Sequence, residues 1–259
     1  MFFFETFLQK IADSPFRLNF VLKGGFLLSS IIGIESRSTM DIDISIRNQS
    51  FDEDSIRQII KTIITTKTKN EVIFELKTVF PIKEHDDYKG YRVSLVGKLQ
   101  NIKQPFNIDI ATGDPITPKE IEYCYNSVFD NKNIIKIYAY NLETIIAEKL
   151  ETIISKKTNN SRSKDFYDLY IIKKLKMNKI DVAILNRAIK ATFEYRNTPF
   201  AKDAIILDLE NILHDSSYQK YWKLYAKKNI YAEEIMFEDI VFAIEDLVNL
   251  IKQDSPIII

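Results

Sequence analysis

The chain has 259 residues, 46% of them hydrophobic, with 36 Lys/Arg balanced by 36 Asp/Glu. It is too apolar for a disordered chain and long enough to bury one large core or two modest ones, and zero net charge excludes the whole-chain electrostatic footprint of a nucleic-acid binder. A single cysteine, Cys124, excludes an internal disulfide framework, and without a charged-then-apolar leader pattern the expected location is the cytoplasm.

The first segment, "MFFFETFLQKIAD", begins apolar, but Glu5, Lys10 and Asp13 interrupt it long before the ~20 apolar residues a membrane helix needs. It reads as an amphipathic helix over 2–13, and no membrane partner is expected. A strand follows at about 18–23, then Gly24-Gly25, a short helix from Gly25, and a strand at about 40–46. "DEDS" begins a helix at about 52–66, and strands are predicted near 71–80, 89–98 and 105–111, with "KIYAY" (136–140) a further candidate. Helices are then predicted at about 142–156, 163–175, 180–195, 201–213, 217–228 and 234–252. All six glycines and five of the seven prolines lie before residue 119. Helix interiors exclude these residues, so the expected domains are a mixed α/β one over 1–140 and a helical one over 141–259.

In the strand ending at Ile46, Ile42, Ile44 and Ile46 share one face and Asp41, Asp43 and Ser45 the other. Two residues apart on a strand, the aspartates stand ~6.5 Å apart at their Cα atoms, and their carboxyl groups can converge on two divalent ions ~3.5–4 Å apart. Hard oxygen ligands with no nearby His or Cys select Mg²⁺ or Mn²⁺. "PFNIDIATGDPI" repeats the pattern, with Ile108 and Ile110 inward and Asn107 and Asp109 outward, which makes Asp109 a candidate third ligand. Ordinary polar strand faces would look the same residue by residue, but Asp is disfavoured in strands and here two strands carry it. A strand ending in Gly24-Gly25 and followed by a helix lets a phosphate approach backbone N–H groups. Glycines for a phosphate chain and carboxylates for its metals together describe a nucleoside-triphosphate site.

Lys149 falls inside the apolar stripe Leu142, Ile145, Ile146, Leu150, Ile153 and Ile154. A lysine is almost never buried without a partner anion; it either snorkels to water or reaches through an inter-domain cleft to a triphosphate. On the second reading, Lys149→Met should preserve or raise stability by relieving desolvation. In "SRSKDFYDLY", Arg162, Asp165 and Asp168 share a face at i, i+3 spacing, with Arg162 a phosphate binder and Asp165 an orienting group for Lys149 or for the attacking group.

These stretches, "LKGGFLL", "RSTMDIDISI", "FNIDIATGDPI", "AEKLETI" and "RSKDFYDLY", resemble the successive motifs of the AbiEii/AbiGii toxin family of nucleotidyltransferases, over residues 20–170. The resemblance implies an α/β nucleotidyltransferase domain with a mixed, largely antiparallel sheet, followed by an all-α bundle that contributes Lys149 and Asp165 to the cleft. It implies metal-ligand roles for Asp41 and Asp43, phosphate roles for Gly24, Gly25 and Lys149, and a catalytic or orienting role for Asp165. Arg37 and Thr39 match the residues that usually precede the aspartates. Ser29 and Ser30 receive no role, and residues 175–259 carry no resemblance. The implied activity is transfer of a nucleoside monophosphate from an NTP, as the toxin of a toxin–antitoxin or abortive-infection pair with a cognate antitoxin.

Residues 141–230 hold 17 Lys/Arg against 11 Asp/Glu, whereas 231–259 are acidic. With the resemblance, this excess favours RNA, a tRNA 3′ end, as acceptor, with the basic loop 156–164 and the helices through residue 228 along the polyanion. A protein hydroxyl, a small molecule, or a decayed binding module are the alternatives. Tyr218, Tyr221, Trp222 and Tyr225 form a helical stripe that is either core or a stacking surface for RNA bases. His85 and His214 are isolated, and the apolar "PIII" end is expected to tuck against the bundle.

Overall fold

A computed structural model describes residues 1–37, 39, 41–69, 71–84, 88–130, 132–156 and 162–252. The chain divides into two compact units. The first takes residues 1–114 and 120–140, the second residues 115–119 and the chain from Asn141 onward.

The first unit is a mixed α/β structure. In chain order it comprises α1 (Phe2–Ala12), β1 (Phe20–Lys23), α2 (Gly24–Ile32), β2 (Asp41–Ile46), α3 (Glu53–Thr65), β3 (Ile73–Glu84), β4 (Tyr88–Leu99), β5 (Ile102–Ala111), β6 (Ile121–Asn126) and β7 (Ile134–Ala139). The seven strands form one sheet in the order β3-β4-β5-β2-β1-β7-β6. Only β1–β7 and β2–β5 pair in parallel; the other four neighbouring pairs are antiparallel. β6 is absent from the sequence reading above. It is an edge strand on which Tyr125 alone is buried, so its period-2 signal rests on a single residue.

The apolar sheet face follows from register. Leu22, Ile44 and Ile110 stand opposite one another across three strands, as do Ile42, Ile108 and Val93, and all six are buried. Phe106 of β5 is met by Phe4 and Phe7 of α1, with ring centroids 5.2 and 6.1 Å apart. α3 begins where "DEDS" places it: Asp52 Oδ1 accepts from Ser55 N at 2.9 Å, an N-cap that satisfies a donor left free by the first turn.

A carboxylate also lies inside this core. Glu5 of α1 is 4% exposed and accepts from Tyr125 Oη at 2.8 Å, Ser127 Oγ at 2.6 Å and Val128 N at 2.8 Å. It fastens α1 to β6 and the turn beyond it.

In the second unit the described residues from Asn141 form α4 (Leu142–Lys156), α5 (Ser163–Lys176), α6 (Val182–Tyr195), α7 (Lys202–His214), α8 (Ser216–Lys228) and α9 (Phe237–Asn249), with short 3-10 turns at 177–179 and 230–232. Asn141 accepts from Thr144 N at 2.9 Å and donates to Thr117 O at 2.6 Å, which stitches residues 115–119 to the start of α4. Asp181 and Asp215 cap α6 and α8. Of the two readings of the aromatic stripe, core holds for Tyr218 and Trp222, each 4% exposed; both rings pack on Phe237 of α9. Burial pushes the Tyr218 hydroxyl up to about 12. No helix among the described residues is long and apolar enough to cross a membrane. His85 and the "PIII" end lie outside the described residues.

Glu5→Leu leaves three donors without their acceptor, so it should destabilise the protein by about 2–3 kcal/mol. Urea unfolding followed by far-UV circular dichroism measures this, and Glu5→Gln should lose less.

Candidate active site

β2 carries its aspartates on the sheet face opposite Ile42 and Ile44. Asp41 is exposed and Asp43 half-buried, whereas Ser45, expected on the same outward face, is 3% exposed. The accessible part of the face therefore ends between Asp43 and Ser45. Register sets Asp43 opposite Asp109 of β5 on one side and opposite Lys23 of β1 on the other. Arg92 of β4 stands opposite Asp109. Directly opposed residues share a face, so Lys23, Asp43, Asp109 and Arg92 form one row across four strands. Asp41, Asn107 and Ser94 form the next row.

Both ends of the first row are cationic, and both cations are engaged. Arg92 donates from Nε to Asp109 Oδ1 at 2.7 Å and from Nη2 to Oδ2 at 2.6 Å. These bonds, with the charges of Asp109, Asp41 and Asp43, overcome burial and raise the Arg92 pKa above the ordinary arginine value. Lys23 Nζ lies 3.1 Å from Asp114 Oδ2 and 5.1 Å from the Tyr140 ring centroid. Neither Arg92 nor Lys23 is among the residues singled out from sequence. The detectable signal was parity: on paired strands they fall in register with the aspartates.

The two glycines are explained by what approaches them. Gly24 has φ +66°, and a Cβ there would lie 2.0 Å from Asp43 Oδ2; no other residue fits without moving the carboxylate. Gly25 N donates to the same oxygen at 3.3 Å. The backbone N–H at this helix start, expected to cradle phosphate, here serves Asp43, whose negative charge suits the positive end of the α2 dipole. A Cβ at Gly25 would lie 2.7 Å from Arg37 Nη2, so the second glycine makes room for a buried guanidinium. Ser29, without a role in the sequence reading, donates to Arg37 O at 2.6 Å and holds that segment to α2. Thr39 Oγ1 lies 3.4 Å from Asp41 N and O.

In the second unit Lys149 finds its anions within the helices. Its Nζ lies 2.9 Å from Asp165 Oδ1 and 2.6 Å from Asp168 Oδ2, and the three side chains are 11%, 2% and 0% exposed. Arg162 Nε lies 2.7 Å from Asp165 Oδ2, with 38% of its side chain exposed. Burial opposes the charge on Lys149, but Asp165 and Asp168 outweigh it and hold the amine above the ordinary lysine pKa. Burial likewise opposes the charge on Asp165, and Lys149 and Arg162 outweigh it, holding the carboxyl below the ordinary value. The expectation that Lys149→Met preserves stability is thereby corrected, because the substitution strands two buried carboxylates. In the loop 156–164, residues 157–161 lie outside the described residues, as do Ser38 and Met40 beside the β2 aspartates.

The mixed seven-stranded sheet and its strand order, with the helices from α4 onward, define the fold. Two solved structures share it, each over 95% of this chain at 16% identity. One, from H. pylori, is described as a candidate nucleotidyltransferase (TM-score 0.54, 90% of that chain covered); the other is JHP933 from Helicobacter pylori (TM-score 0.55, 88% covered). No curated protein sequence matches the chain. The family described as "Nucleotidyl transferase AbiEii toxin, Type IV TA system" matches residues 6–243, and the chain belongs to it.

Lys149→Met should destabilise the protein by about 3–5 kcal/mol at neutral pH. A carboxyl with a depressed folded pKa contributes stability above its unfolded value, here the ordinary 3.8, and loses it as pH falls through the folded one. The gap between wild type and variant should thus be full at pH 7 and close below pH 3.8, as thermal melts across pH would measure. Gly24→Ala should leave secondary structure intact while displacing Asp43, and so abolish any function of that carboxylate; a crystal structure of the variant would show the shift.

Proposed function

We propose that this AbiEii-family protein is a divalent-metal-dependent enzyme that moves a nucleoside monophosphate from an NTP to the 3′ end of a tRNA. On this reading it acts in the cytoplasm as a toxin restrained by a cognate antitoxin. The observation that carries the reading is the placement of Asp43 against Gly24 and Gly25 with Asp41 two residues before it on the same sheet face.

The donor set fits a hard divalent ion. Among the described residues no group of three His, Cys, Asp or Glu side chains is placed to hold a metal, but Mg²⁺ in phosphate chemistry needs only one or two carboxylates, keeping waters and taking substrate phosphates. Asp41 and Asp43 would hold it. When bound, such an ion neutralises charge on the transferring phosphoryl group. Gly25 N fixes the orientation of Asp43, and Arg37, packed over Gly25, adds positive charge beside the same turn. In the helical unit, Asp165 and Asp168 fix Lys149, and Asp165 also holds Arg162, the most exposed of the four and the member suited to an anionic ligand. The excess of basic residues over 141–230 supports a polyanionic acceptor. α8 exposes Lys220, Lys223, Lys227 and Lys228.

Incubation with each labelled NTP, Mg²⁺ and total RNA tests the reading. Label should appear in tRNA, and Asp41→Asn or Asp43→Asn should reduce transfer more than about 100-fold, since metal stabilisation of phosphoryl charge is worth several kcal/mol. Label on protein or on a small molecule would replace the acceptor. Unchanged transfer in both variants would remove the metal assignment.

A further inference from the structure

We propose that Arg92 is the resident counter-cation of Asp109 and restricts the acidic rows to a single divalent ion, held by Asp41 and Asp43, before any nucleotide binds. The inference rests on the metal reading above and assigns Arg92 and Asp109 within it.

Register alone would make Asp109 a metal ligand, since it stands directly opposite Asp43 on a neighbouring strand. Its two oxygens are instead taken by two donors of one guanidinium, at 2.7 and 2.6 Å. That fork is planar and rigid, and it claims both oxygens at once in a geometry a lysine could not reproduce. A second ion between Asp43 and Asp109 would meet a full positive charge beside its ligand, and Mg²⁺ also demands a near-octahedral oxygen shell. Arg92 is held on that face by β4–β5 pairing, in the row next to Ser94, whose hydroxyl bonds Asn107 Oδ1 at 2.8 Å. With its side chain 39% exposed and that of Asp109 23% exposed, the pair sits at the accessible edge of the face rather than in the core. The first row is thus organised as a cation at each end with two carboxylates between, and both oxygens of the Asp109 carboxylate are held by Arg92.

A purely structural ion pair would affect melting and leave metal binding alone, so metal stoichiometry separates the two roles. Mn²⁺ is titrated calorimetrically into the full chain without nucleotide. Wild type should bind one ion. Arg92→Met should bind a second, or bind the first at least about tenfold tighter, a difference of 1.4 kcal/mol. Asp109→Asn, which leaves the Arg92 charge uncompensated beside Asp41 and Asp43, should bind one ion and no more tightly than wild type, and Arg92→Met/Asp109→Asn should bind one ion at wild-type strength or tighter. Arg92→Gln, which removes the charge while keeping a hydrogen-bond donor, serves if Arg92→Met does not fold, with the same gain expected. Two ions in wild type, a second ion or tighter binding in Asp109→Asn, or wild-type binding in the folded Arg92 variants would each overturn the proposal. Asp43→Asn separates its failure from that of the metal reading. Loss of Mn²⁺ in Asp43→Asn with no change in the Arg92 variants overturns the role of Arg92 alone, whereas undiminished binding in Asp43→Asn overturns the metal reading and this inference with it.

Discussion

The carboxylate of Asp43 occupies the volume that any side chain at residue 24 would need. That single steric exclusion ties three things together: the left-handed turn after β1, the start of α2, and the direction in which the β2 aspartate points. A carboxylate at a helix N-terminus is favourable on its own account, so turn and acid stabilise each other. Through cross-strand register the same residue orders its neighbours, with Lys23 to one side and Asp109 to the other. The elements of the first unit converge here because β1 and β2 are central in the sheet.

Charge is handled similarly in both units, by pairing it internally before anything binds. Lys149, Arg162, Asp165 and Asp168 carry two charges of each sign, so the cluster as a whole is neutral. Such a network is expensive to desolvate and gives weak grounds for expecting stability; its strength is in fixing geometry, since each member is held by at least one other. Glu5 follows a different rule, satisfied by three neutral donors rather than by a cation.

Much of the first unit was legible from sequence because its signals are local. The alternation of Ile42, Ile44 and Ile46 with two aspartates fixes which face is core, and "DEDS" carries its own helix cap. β6 was not legible, because an edge strand covered at one residue has no periodicity to read. The partners of Lys149 were half legible. Asp165 and Asp168 were placed on one face and Asp165 was assigned to orient Lys149, but no spacing rule says that two helices bring both acids to one amine. Arg92 was missed for the opposite reason: in its own strand it is an ordinary arginine, and its parity with the aspartates gains meaning only once β4 is paired with β5. Ser29 gained a role in the same way, from the return of the chain at Arg37 onto α2. What sequence does not display is tertiary register, and most of the site's electrostatics is written in register.

The parallel pairing of β2 with β5 has a consequence for how this fold can vary over time. Side chains alternate across a strand, so a one-residue insertion or deletion within β2 or β5 would turn aspartates into the core and isoleucines into solvent together. The acidic rows and the hydrophobic core are thus encoded in the same two segments, in opposite parity, and cannot drift independently. Length change within β2 and β5 is therefore excluded, although the sheet admits an irregularity elsewhere, between Leu76 and Thr78 of β3, and the two acidic strands behave as units of fixed length.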